Sequence, residues 1–72
     1  MNKHELATLA IDDAIKSAKE LLAELEKAKR ALRENNYPIA GLRLSDAVST
    51  ASYLDHHYIP NAQGAVRDLE QR

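Results

Sequence analysis

Between Lys3 and Glu34 the chain runs for thirty-two residues without a glycine or a proline, and Ala, Leu, Lys and Glu fill most of them. These are the strongest helix formers, and no residue in the stretch gives the backbone a reason to leave the helix. The spacing predicts one helix over 3–34, about 45–50 Å long at 1.5 Å per residue. Asn2 followed three residues later by Glu5 has the form of a capping box at its start. Ala7, Ile11, Ala14, Ala18, Leu21, Leu25, Ala28 and Leu32 recur at alternating spacings of four and three, a heptad seam that Ile15 and Leu22 widen to one side. Glu26 with Arg30, and Arg30 with Glu34, are the pairs expected on the outer surface.

Asn35, Asn36, Tyr37 and Pro38 close this helix. Asn accepts the left-handed conformation that ends helices, and Pro38 restricts the residue before it to extended geometry. A turn of three residues, 35–37, favours an antiparallel return. The second helix is expected over 38–58, with Leu44, Val48, Ala51 and Leu54 as its stripe, joined by Ala47 and Tyr58. Gly41, Ser45, Ser49 and Ser52 are small enough for close backbone approach. An alternative start at Ser45 would make residues 39–44 an extended connector. Pro60 is expected to break the helix and Asn61 to cap a short third one over 61–70, with Ala62, Ala65, Val66 and Leu69 on its apolar side. The fold class is therefore all-α: a helical hairpin plus a short C-terminal helix. The Ala/Leu heptad helix, the Asn-rich turn and the antiparallel return resemble the small helical-hairpin proteins that pair into four-helix bundles. That resemblance is one of architecture and implies no functional residues.

At 72 residues the chain makes one small domain with a thin margin of stability. Alanine dominates its apolar content. The large aliphatics are ten Leu, four Ile and two Val, with no Phe and no Trp. There is no cysteine, so no disulfide supplies the missing stability, and oligomerisation is the remaining common route. The long first helix, with too little chain left to cover it, points to a homodimer built on an isologous contact. Net charge is −1 with both signs mixed, which gives no general attraction to nucleic acid or anionic membrane. The start of the chain lacks the cationic and apolar regions of a signal peptide, and no stretch is apolar enough to span a bilayer, so a cytoplasmic protein is expected.

Residues 53–61, YLDHHYIPN, hold two of the three histidines beside an aspartate. On an α-helix His56 and His57 diverge by about 100°, and neither has a ligand-type residue four positions earlier, so no metal site and no cofactor are expected within one chain. Asp12 or Asp13 could approach a histidine across the hairpin. The basic run Lys27, Lys29, Arg30 and Arg33 could touch phosphates, but cations in the last turns of a helix also complement its dipole. Asp12 and Asp13 diverge, the serines have no nucleophile elbow, and no glycine-rich loop is present, so catalysis is not expected. The reading that remains is a non-enzymatic protein–protein interaction module, a regulator, adaptor or inhibitor of an unidentified partner protein. Tyr37, Arg43, Tyr53, His56, His57 and Tyr58 are its candidate contacts, because aromatic and Arg side chains dominate interface energetics. The alternatives are a nucleic-acid accessory role for Lys27, Lys29, Arg30 and Arg33, and metal-assisted assembly through His56 and His57 of two chains.

Overall fold

The structure, a computed structural model, describes residues 1–70. Helix α1 spans Lys3–Arg33. Asn2 caps it: its Oδ1 accepts from the Glu5 backbone N–H at 2.8 Å. The box closes side chain to side chain, since Asn2 Nδ2 donates to Glu5 Oε1 at 3.1 Å. At the other end Asn35 takes φ 59°. The Asn36 N–H donates to the Ala31 carbonyl at 2.8 Å and the Asn35 N–H to the Leu32 carbonyl at 3.0 Å. This is a Schellman closure, which satisfies two of the carbonyls that a helix end leaves open. Asn36 then caps α2, Tyr37–Tyr53, its Oδ1 accepting from the Ile39 N–H at 3.4 Å. The start at Tyr37 excludes the alternative start at Ser45, and Pro38 sits in the first turn, where its missing N–H costs nothing.

Pro60 does not break the chain. Leu54–Tyr58 forms a π-helical turn, and α3 follows directly over Ile59–Glu70. The Ile59 N–H reaches back five residues to the Leu54 carbonyl. In an α-helix the ring of Pro60 would strike the carbonyl four positions back, that of His56. The wider π-turn supplies the room, so Asn61 lies inside a helix and caps nothing. Residues 37–70 thus form one nearly continuous arm, antiparallel to α1 and in contact with it through α2, the π-turn and α3. The rod measures 56 × 16 × 14 Å. The first helix is covered along its length after all, by an arm that the proline fails to divide.

The side that α1 turns inward is Ala7, Ala10, Ala14, Ser17, Leu21, Glu24, Ala28 and Ala31, all buried or half-buried. It shares Ala7, Ala14, Leu21 and Ala28 with the seam expected from sequence. Ile11, Ala18, Leu25 and Leu32 are exposed instead. The second arm answers with Ala40, Arg43, Ala47, Thr50 and Leu54, then Tyr58, Ala62 and Ala65. Leu44 is exposed and Val48 is 69% exposed, so neither belongs to the stripe. The small residues Gly41, Ser45, Ser49 and Ser52 also face outward, and a Cβ on Gly41 would meet nothing within 4 Å. Alanine explains the choice. Two helices that meet through Ala7, Ala28, Ala31, Ala40 and Ala47, the buried apolar core, pack closely, and the larger aliphatics beside them have no room inside. The inward positions also show what the π-turn does. Spacings alternate three and four from Ala40 to Leu54, and one additional residue precedes Tyr58. Without that residue the seam would continue through His57, Asn61 and Gly64.

Ala47→Leu is expected to cost about 1–3 kcal/mol by overpacking this seam. Asn35→Val should cost about 1–2 kcal/mol and Asn35→Gly nothing, because only the former strains a left-handed position. Urea unfolding at one fixed protein concentration measures all three. A neutral Ala47→Leu would mean that the helices are not in close contact there.

Candidate functional site

Stepping one residue along a helix rotates the side chain by about 100°, so the positions before and after the seam define the two long flanks of the hairpin. Three grooves show which positions lie together. Asp13, Lys16 and Glu20 border one with Tyr58. Ser17 and Glu20 border the next with Ser49, Thr50, Tyr53 and Tyr58. Lys27, Arg30 and Glu34 border a third with Ile39 and Arg43. One flank is therefore rich in charged and polar side chains, with the exposed Leu6, Leu9, Ile39 and Leu42 among them by register. The opposite flank carries Ile11, Ile15, Leu22, Leu25 and Leu32 from α1, all exposed. Leu44 and Val48 of α2 and Ile59 and Val66 of α3 continue it, also exposed. Among the described residues no large side chain is fully buried.

The candidate contact residues divide into three groups. Tyr53, His57 and Tyr58 form one aromatic cluster: ring centroids lie 4.7 Å apart for Tyr53–His57, 5.1 Å for Tyr53–Tyr58 and 5.3 Å for His57–Tyr58. Tyr53 and His57 meet because they are four residues apart on a helix. Tyr58, five residues on, joins them because the π-turn brings positions i and i+5 together. Tyr58 also lies half-buried against Asp13, Lys16, Ser17 and Glu20 of α1, the place where Asp12 or Asp13 could have approached a histidine. Tyr53 and His57 are exposed at the rim. His56 points elsewhere, exposed, with Asp55 Oδ2 3.7 Å from its Nε2. Tyr37 is far from the cluster, at the turn, where its hydroxyl donates to Asn35 Oδ1 at 3.4 Å. Among the described residues no three His, Asp or Glu side chains converge on a point where a metal could sit.

Arg43 is held inside the hairpin. One of its guanidinium nitrogens lies 3.9 Å from Glu24 of α1 and 3.6 Å from Asp46. Glu24, with its side chain 19% exposed, also sits 3.6 Å from Lys27. Its Oε2 is buried and accepts no hydrogen bond. A carboxylate at a seam position among alanines is tolerable only with cations beside it. Sequence reasoning missed Glu24, although its register could have revealed it: three residues after Leu21 and four before Ala28, it falls where the inward side continues. The expected pairs of Arg30 with Glu26 and Glu34 do not form among the described residues. Lys27, Lys29, Arg30 and Arg33 spread around roughly half of α1, at 100° per residue, rather than forming one basic stripe. Lys29 lies on the apolar flank and Lys27 beside Glu24.

Comparison with family models, with curated proteins and with solved structures returned no match. No helix among the described residues is long and apolar enough to cross a membrane.

Arg43→Ala should destabilise the hairpin by about 1–3 kcal/mol, because it leaves the Glu24 carboxylate without its partner across the seam. The double replacement Glu24→Leu with Arg43→Leu should recover most of that loss, as apolar pairs commonly replace such ion pairs without penalty. Equal losses for the single and the double replacement, in urea unfolding, would show that Glu24 does not depend on Arg43.

Proposed function

We propose that the chain is a non-enzymatic helical interaction module, which self-associates as a homodimer and acts as a regulator, adaptor or inhibitor by covering part of a partner protein. One observation carries this reading: the core is alanine while the large aliphatic side chains lie outside. Exposed apolar surface of that extent marks places where other surfaces dock. The aromatic cluster at the π-turn supports the second half of the reading. Tyr53 offers a wide, stiff ring at low entropic cost, in a position that is not needed to hold α1 and the second arm together. Tyr58 differs, being packed against α1, and Arg43 is occupied by Glu24 and Asp46. Tyr53, His57 and the outlying Tyr37 and His56 are therefore the candidates free to meet a partner.

A photo-crosslinking side chain at position 53 would trap the partner in cells, after which the purified pair can be titrated. Tyr53→Ala should leave helicity unchanged and weaken that binding about tenfold or more, since a contact tyrosine contributes on the order of 2 kcal/mol. Tyr58→Ala should lower the stability of the hairpin itself. Undiminished binding by Tyr53→Ala would remove the aromatic cluster from the partner surface.

A further inference from the structure

We propose that the apolar flank receives a second copy of this chain, in an isologous contact that makes a four-helix bundle with both charged flanks outermost. The inference rests on the interaction-module reading above and assigns the surface that assembles and what fills it.

Area comes first. The chain exposes 5578 Å². A folded monomer of its 8.0 kDa mass exposes about 4,450 Å² by the scaling of surface with size. The excess, about 1,100 Å² per chain, doubles to about 2,200 Å² in a pair, which lies in the range of obligate homodimers. The shape agrees: the radius of gyration is 16.1 Å, where a compact chain of this length has about 11 Å.

The composition of the flank selects the occupant. Its large apolar side chains are branched aliphatics, apart from Tyr37 at the turn, like a core cut in half. Contacts between unlike proteins draw on Tyr, Trp and Arg instead, and here Tyr53 and Arg30 belong to the other flank. The strip also runs the whole length of the rod, from Val66 beside the start of α1 to Leu32 at the turn. An occupant that covers it must be a helical rod of equal length with a matching apolar side, and a second hairpin is one. Charge fixes the orientation of the sides. By register Lys29, Asp55 and Glu70 fall on the apolar flank, with Arg67 at its groove beside Ile59 and Val66, whereas Asp13, Lys16, Glu20, Lys27 and Arg30 on the opposite one interrupt the fewer aliphatics there, Leu6, Leu9, Ile39 and Leu42.

The test uses the full chain in sedimentation equilibrium from low to high micromolar concentration. Wild type should be a dimer. Val48→Glu and Leu22→Glu should weaken association at least a hundredfold, whereas Glu20→Lys on the charged flank should change it less than threefold. If separation of the copies unfolds the hairpin, helicity of Val48→Glu will instead depend on concentration, which supports the proposal equally. Oxidative cross-linking is independent of that outcome. Ala18 lies at the middle of α1 on the apolar flank, so Ala18→Cys should form a disulfide dimer where antiparallel copies set α1 on α1, and Glu20→Cys should form none in either arrangement. A dimer that survives Val48→Glu and Leu22→Glu, or that cross-links through Glu20→Cys, overturns this assignment and leaves self-association standing. A helical wild-type monomer at high micromolar concentration overturns both.

Discussion

Everything in this molecule follows from the contact of two helices through small side chains. Alanine at Ala7, Ala28, Ala31, Ala40 and Ala47 lets the backbones approach closely, and dispersion along the seam replaces the burial of large residues. Such a seam holds only a little apolar area per residue. It therefore fixes the hairpin as a rod and leaves most of the leucines, isoleucines and valines exposed, the larger share of them on one flank. The same packing that makes the fold possible leaves those large side chains in contact with water.

The polar residues of the seam set its register. Alanine against alanine is nearly indifferent to a slip of one turn. Glu24 and Arg43 are not, because a slip would separate a nearly buried carboxylate from its guanidinium. An ion pair of this kind adds little to stability, and its better attested effect is to make one alignment preferable to its neighbours. Ser17, also buried, contributes no large side chain that could resist a slip.

The long helix, its Asn2 cap, the turn at Asn35–Asn36 and the antiparallel return were legible in the sequence because each depends on residues close together in the chain. The inward side was not. Two stripes of α1 share one half of a heptad: Ala7, Ala14, Leu21 and Ala28 fit a seam completed by Ile11, Ala18, Leu25 and Leu32 equally well as one completed by Ala10, Ser17, Glu24 and Ala31. Hydrophobicity favours the first set and close packing the second, and only the partner helix decides. Pro60 misled for a related reason. Its helix-breaking effect presumes the four-residue hydrogen-bond spacing of the α-helix, which the chain abandons between Leu54 and Tyr58. The aromatic cluster was half legible: the four-residue spacing of Tyr53 and His57 is visible, but the arrival of Tyr58 requires the π-turn.

That turn also divides the second arm in time. Proline offers no amide proton, so the carbonyls one turn before it lose a donor in the middle of the molecule rather than at its ends. Local opening begins where hydrogen bonds are fewest and burial is least. Among residues 37–70 the hydrogen-bond ladder is interrupted at 54–60, between α2 on the alanine-rich part of the seam and α3, which has no fully buried residue. Such a weak point separates a more deeply buried part of the hairpin from a shallower one. An opening at that point would let the amide protons of α3 exchange with solvent while α1 and α2 stay paired, loosening one end of the rod and leaving the turn end in form.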